Sequence, residues 1–178
     1  QLLVTLHRNE GHGLPRRSLL AQLAQQLHVL HDWQVVVISH PNPAVQEDLE
    51  WAKQNVAGFD SVALRQPKSH REFIDILIAS DLILSDSGGI QEEAPTLGLR
   101  VLIARDVTER PEAVRRGGHI IVGADGRNLR RALDRILRGP ALDFVGRNPF
   151  GDGHAGDRIA KHIQQVSSAA SPNFRCER

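Results

Sequence analysis

Between Leu82 and Gly98 the chain reads Leu-Ile-Leu-Ser-Asp-Ser-Gly-Gly-Ile-Gln-Glu-Glu-Ala-Pro-Thr-Leu-Gly. Leu82 to Ser85 is an apolar run of strand length. Asp86, Ser87, Gly88 and Gly89 follow at once, and a helical pattern then begins. This order of strand, small polar turn, glycines and helix start makes an anion site. The first N–H groups of a helix have no partner within it and carry the positive end of its dipole. Glycines let a phosphate approach them without meeting a Cβ, and Ser87 adds a hydroxyl donor. Glu92 and Glu93 come one turn later, about 100° apart on the helix, so only one of them can face a ligand at its N-terminus. A carboxylate just past a phosphate site suits neighbouring ribose hydroxyls. Physics alone leaves a second reading open, a plain strand-to-helix turn with solvated glutamates.

Other chemistry-bearing residues also follow short apolar runs. His7 and Arg8 end the run Leu2 to Leu6 and open the polar loop His7–Gly13. His40 follows Gln34 to Ser39, a β-branched run that reads as a fully buried strand. Arg105 and Arg110 lie in the loop after the run Arg100 to Ile103, and a guanidinium there can hold phosphate oxygens bidentately. In open α/β sheets such loops line the ligand crevice.

The elements that must carry these loops alternate strand and helix five or six times. Further strands are expected at Ser61–Leu64 and Gly118–Val122. Leu19, Leu20, Leu23, Leu27 and Leu30 sit at helical spacing within a helix expected over 14–30. Asn42 can cap a helix that opens with Pro43 and runs to about Val56. A helix over 70–79 shows Phe73, Ile74, Leu77 and Ile78. Pro111 starts a short helix, Arg127–Leu137 is amphipathic, and a last helix spans about 154–166. The pattern gives an α/β fold, a Rossmann-like α/β/α domain with a parallel sheet covered on both faces. The domain is expected over 1–166, with a disordered tail over 167–178.

Composition narrows the class. At 178 residues the chain is one domain, large enough to bury roughly 70% of its unfolded surface. Twenty-two Lys and Arg against 21 Asp and Glu give a net charge of +1, and no basic face of the kind nucleic acid requires is visible. The single cysteine, Cys176, leaves no internal disulfide, which fits a reducing, cytoplasmic setting. No apolar run approaches the roughly 20 residues of a membrane span, and no signal peptide is visible. The nine histidines show no metal-ligand spacing. Methionine is absent, position 1 included, and the chain begins on a strand, so it is read as a fragment or a processed product.

The stretch Asp-Ser-Gly-Gly-Ile-Gln-Glu-Glu-Ala-Pro-Thr-Leu-Gly resembles the signature of the non-hydrolysing UDP-N-acetylglucosamine 2-epimerases. Arg105-Asp-Val-Thr-Glu-Arg-Pro-Glu112 and Asn148-Pro-Phe-Gly-Asp-Gly153 agree with the family in the same order. The resemblance runs from Leu3 to about Ile163 and covers only the C-terminal half of the family's protein. It implies the C-terminal, UDP-binding domain of a two-domain fold of the glycosyltransferase-B type. The activity it implies is interconversion of UDP-N-acetylglucosamine and UDP-N-acetylmannosamine, by elimination and re-addition of UDP and without metal or other cofactor.

By the same resemblance, Ser87, Gly88, Gly89 and Arg110 hold the diphosphate and Glu93 the ribose. Gln66 and Phe73 border the uracil, for Phe73 beside the plain reading of core packing. His7 faces the sugar and its phosphate as a catalytic-site residue. In some bacterial members the positions of Arg8 and His40 help bind a second, regulatory UDP-N-acetylglucosamine; a structural turn at His40 is the other reading. Asn9 stands where the family has arginine, and Phe150 where it has tyrosine. The family's acid/base carboxylates come from an N-terminal domain that this chain lacks. The chain alone is therefore expected to bind UDP weakly and not to epimerise, with that N-terminal domain as a partner if it exists elsewhere. Full-length members are typically homodimers, and the resemblance points to polysaccharide biosynthesis. A hydrolysing epimerase, a UDP-sugar glycosyltransferase half, a non-catalytic UDP-sugar-binding module and a gene remnant stand as alternatives.

Overall fold

The computed structural model describes residues 1–115, 117–138 and 148–169. Six parallel strands form one sheet: β1 (Leu2–Thr5), β2 (Val35–Ile38), β3 (Ala63–Arg65), β4 (Leu82–Ser85), β5 (Arg100–Ile103) and β6 (His119–Ile121). Their order across the sheet is β3-β2-β1-β4-β5-β6. Among the described residues, seven α-helices connect or follow them: α1 (Leu14–Gln26), α2 (Pro43–Asn55), α3 (His70–Ile78), α4 (Gly88–Glu93), α5 (Pro111–Arg115), α6 (Leu129–Arg138) and α7 (Ala155–Ala169). This is the α/β doubly wound arrangement read from the alternation of apolar runs.

The sheet is buried on both faces because successive side chains point to opposite sides. On one face Leu2, Val4, Val35, Val37, Leu82, Leu84 and Leu102 pack against α1, α2 and α6, through Leu19, Leu20, Leu23, Leu49 and Leu133. On the other face Leu3, Val36, Ile38, Ile83, Val101 and Ile103 meet Leu77 of α3 and Ile90 of α4. The chain builds outward from β1 to the β3 edge with its connecting helices on the first face. It then crosses back through α3 on the second face to start β4 beside β1. The sense of winding reverses there, so the loops after β1 and β4 diverge and leave a crevice at the carboxyl edge.

Local signals explain most boundaries. Asn42 caps α2 by accepting from the Ala44 N–H at 3.0 Å, with Pro43 at the first helical position. Ser69 caps α3 by accepting from the Glu72 N–H at 3.2 Å. Gly126 turns with φ +78°, and a Cβ there would fall 2.7 Å from Leu19, so this glycine lets the β6–α6 turn close onto α1.

Three expectations need correction. Helix α1 ends at Gln26, not near residue 30: the backbone tightens into turns with 27→24 and 30→27 hydrogen bonds, and Leu30 is buried from a turn. In α3, Ile78 points out at 59% exposure, and Ile76 packs inward instead. The last helix continues to Ala169, so residues 167–169 are helical, and the rest of the expected tail (170–178, Cys176 included) lies outside the described residues. Ile159, Ile163 and Val166 of α7 are more than half exposed. Among the described residues, no helix is long and apolar enough to cross a membrane, and no cluster of His, Cys, Asp or Glu could hold a metal ion.

Candidate nucleotide site

The crevice is built where β1 and β4 part. Asp86, the first residue past β4, is buried and sends its carboxylate across to the β1 loop. Its two oxygens accept from the His7 N–H at 3.1 and 3.0 Å, and Oδ2 also accepts from the Arg8 N–H at 3.0 Å. His7 Nδ1 lies 3.4 Å from Oδ1 of the same carboxylate. One acidic side chain thus fixes the peptides that display His7 and Arg8. The His7 ring stacks on His40 at 5.7 Å between centroids, joining the end of β2 to the site. Asn42 donates to Asn9 Oδ1 at 2.9 Å, a further tie between the β1 and β2 loops.

Ser87, Gly88 and Gly89 stand at the start of α4. Ser87 caps the helix, its Oγ accepting from the Ile90 N–H at 3.5 Å, which leaves the hydroxyl proton free to donate elsewhere. Gly88 and Gly89 occupy the first two helical positions, so their amides have no acceptor within the helix. The Arg110 guanidinium lies over Gly88: a Cβ there would come within 3.0–3.3 Å of Cζ and both Nη atoms. Glycine at 88 is therefore what allows a cation to sit on the helix start.

Arg110 reaches that position by a chain of contacts that begins in the core. Gln91 of α4 is fully buried. Its Nε2 donates to the Ser87 carbonyl at 3.1 Å, and its Oε1 accepts from the Thr108 hydroxyl at 2.5 Å. Thr108 Oγ1 in turn accepts from the Arg110 N–H at 3.1 Å, and the buried His119 ring contacts the Gln91 carbonyl through Nε2 at 2.9 Å. Arg110 Nε is ion-paired with Glu92, and Nη1 lies 3.6 Å from Glu109. Arg105 grips Glu109 with both Nη atoms at 2.6 and 2.5 Å. The Arg105 hydrogen bonds, backed by local backbone hydrogen bonding, lower the Glu109 carboxyl from 4.5 to about 2. A cleft of about 330 Å³ lies between these loops, lined by Arg8, Gly11, Asp86, Arg105, Glu109 and Ala124. A larger hollow near 860 Å³, bordered by Thr96, Gly98, Asn148, Asp152 and Arg158, shares no residue with it; the Asn148–Gly153 stretch therefore lines a different concavity.

The structure gathers His7, Arg8 and His40 on one side of the crevice and Ser87, Gly88, Gly89 and Arg110 on the other. Glu93, not Glu92, keeps an exposed carboxylate beside the glycines, with Oε1 3.6 Å from where a Gly89 Cβ would stand. Glu92 is taken by Arg110. Gln66 is exposed just past β3, and Phe73 is half-buried against the second-face core. Neighbouring strands lie ~4.8 Å apart, so the β3 loop stands about 14 Å from the β4 loop.

Two contributors escaped sequence reasoning. Asp86 carries a usable signal, an acid immediately after a buried strand facing a histidine-arginine loop. Gln91 carries none, because nothing in its neighbours tells a buried glutamine from a solvated one.

A UDP-N-acetylglucosamine 2-epimerase family model matches residues 1–164. The Yersinia pestis UDP-N-acetylglucosamine 2-epimerase is 38% identical over 166 residues, covering 92% of this chain and 43% of that protein. The Bacillus subtilis enzyme of the same name is 36% identical over 165 residues, covering 91% and 43%. Among solved structures, the Neisseria meningitidis UDP-GlcNAc 2-epimerase bound to UDP-GlcNAc superposes with a TM-score of 0.79 at 33% identity, covering 92% of this chain and 44% of that one. The S. aureus MnaA–UDP co-structure gives a TM-score of 0.80 at 34% identity, covering 94% and 46%. The chain thus spans a little under half the length of the relatives it matches. A six-stranded sheet wound about a β1/β4 crevice and a family match over residues 1–164 together place this chain in the UDP-N-acetylglucosamine 2-epimerase family, of whose full-length proteins it corresponds to one half.

Proposed function

We propose that this chain is the C-terminal, UDP-binding half of a non-hydrolysing UDP-N-acetylglucosamine 2-epimerase. The observation that carries this reading is the arginine over a glycine at the start of α4, opposite a histidine fixed on the end of β1. The Gly88 and Gly89 amides, the Ser87 hydroxyl and Arg110 hold the diphosphate. Glu93 takes the ribose hydroxyls, and Gln66 and Phe73 border the base at the β3 end. His7 faces the sugar-phosphate side as the catalytic-site residue of this half. Arg8 and His40 flank it, where a second nucleotide sugar would bind. Relatives crystallised with UDP and with UDP-GlcNAc support the ligand class.

The reaction requires loss of the C2 proton and cleavage of the C1–O bond, with the bond electrons leaving on UDP. UDP then adds back as a proton is delivered to the other face of C2. This half serves the leaving group: donors fixed on the diphosphate stabilise the negative charge that develops as C1–O breaks. The acid and base for C2 must flank the sugar on opposite faces, and these roles fall to the other half of the full-length family protein. The isolated chain is accordingly a UDP binder without epimerase activity, and the intact enzyme is a homodimer.

Calorimetric titration with UDP tests this reading, with Arg110→Ala and Glu93→Ala in parallel. Hydrogen bonds to charged groups are worth roughly 1.5–3 kcal/mol, so each substitution should weaken binding about tenfold or more. Failure of the unaltered chain to bind millimolar UDP, or conversion of UDP-N-acetylglucosamine by the pure chain, would overturn it.

A further inference from the structure

We propose that Asp48, acting through Arg16, is a positioning residue that sets the His7–Arg8 segment of the crevice. Asp48 lies on α2, outside the three signature stretches Asp86–Gly98, Arg105–Glu112 and Asn148–Gly153. Its side chain is completely buried, and that of Arg16 is 2% exposed. Asp48 Oδ2 accepts from Arg16 Nη1 at 3.0 Å, from the Gly13 N–H at 3.0 Å and from His12 Nδ1 at 3.1 Å. Oδ1 accepts from Arg17 Nε at 2.8 Å. The other arm of the Arg16 fork, Nη2, leaves the cluster and donates to the Arg8 carbonyl at 2.5 Å.

The consequence lies in where that bond lands. Asp86 holds the Arg8 residue by its N–H, and Arg16 holds it by its C=O. The residue is therefore pinned at both ends by buried charged groups that come from opposite sides, β4 and α1. Holding α1 against α2 does not require a second, buried arginine, because Arg17 already bridges the two helices to Glu47 and Asp48 from a more exposed position. Burying a carboxylate and a guanidinium is expensive, and a well-packed apolar pair is often as stable or more so. What an apolar pair cannot supply is the directed bond to the Arg8 carbonyl. The inference rests on the nucleotide reading for the purpose of the loop, but not for its geometry.

The test uses the double variant Arg16→Leu/Asp48→Leu and the single variant Arg16→Lys, which keeps a charge for Asp48 but has no second arm. Amide hydrogen exchange is followed over residues 7–13 and over residues 119–122, at the β6 edge of the sheet, as reference, together with UDP titration. The expected result is exchange at least tenfold faster over 7–13 with 119–122 unchanged, in both variants, and UDP affinity at least tenfold weaker. Wild-type exchange over 7–13 in a folded variant would overturn the proposal. So would an equal acceleration at 119–122, because the cluster would then serve only overall stability. If the double variant does not fold, Arg16→Lys decides alone. If the unaltered chain does not bind UDP, the nucleotide reading fails while the exchange data still judge this inference.

Discussion

The β1 wall of the crevice hangs on buried carboxylates, whereas the β5 wall hangs on exposed ones. Asp86 and Asp48 are buried and hold backbone groups of the His7–Gly13 loop, directly or through Arg16. Glu92 and Glu109 lie at the surface and hold the guanidinium groups of Arg110 and Arg105. In the first wall each lost contact strands a buried polar group, which is costly. In the second, water and salt compete with every pair, and exposed pairs contribute little. The lesson is a division of labour. The β1 wall is set by buried contacts, and the β5 wall presents cations with exposed partners, which on the function proposed above a diphosphate would replace. Only the backbone of the β5 wall, held by Thr108 and the buried Gln91, shares the rigidity of the other side.

The sharpest way to break this contrast is to remove one partner of the buried cluster. Asp48→Ala leaves Arg16 charged and enclosed, and should cost about 3–5 kcal/mol in urea unfolding. A loss near that expected of a surface pair would show that the β1 wall is not held from inside. Asp86→Ala comes next. It strands the His7 and Arg8 amides, each buried donor being worth about 1–3 kcal/mol, and a loss of about 3 kcal/mol should accompany disappearance of UDP binding by calorimetry.

Acid separates the walls further. Burial pushes the Asp48 carboxyl up, but the Gly13, Arg17 and His12 hydrogen bonds and the Arg16 charge together outweigh it and hold the group below its ordinary 3.8. The unfolded chain therefore takes up that proton first, so the stability owed to the ionised group is present above pH 3.8 and is lost as pH falls through the lower native value. Asp48→Asn should melt well below wild type at pH 7, and the gap should close progressively below pH 4 in scanning calorimetry.

On the β5 wall the effects should fall on ligand, not on fold. In Gly88→Ala a Cβ meets only the end of the flexible Arg110 side chain, so the fold should hold within about 1 kcal/mol while UDP affinity drops about tenfold as the guanidinium is displaced. Glu109→Gln is the smallest change. The urea midpoint should stay at the wild-type value, and a clear decrease would show that the β5 wall depends on its surface pairs as the β1 wall depends on its buried ones.

Much of the fold was legible because its signals are local. Four β-branched or leucine-rich runs are too short and too apolar to be anything but buried strands, and Asn42-Pro43 and Pro111 mark helix starts by their own backbone chemistry. The turn proposed to hold phosphate was legible for the same reason: Ser87, Gly88 and Gly89 form the chain's own entry into α4. Helix ends were less legible. Leu27 and Leu30 continue the apolar rhythm of α1 although the backbone has left the helix at Gln26, because a turn can bury leucine as well as a helix can.

The sequence by itself determined the alternation of strands and helices, the carboxyl-edge loops and the anion-ready start of α4, all consequences of neighbours along the chain. Only the tertiary structure decided which glutamate is free. Glu92 and Glu93 are equivalent until Arg110, 18 residues from Glu92, folds over Gly88 and takes Glu92 as its partner. Only the tertiary structure joined Asp48 to Arg8 through Arg16, and Asp86 to His7 across 79 residues. The physical reason is the same in each case. A charged side chain finds its partner through burial and distance in space, and neither is written in spacing along the sequence.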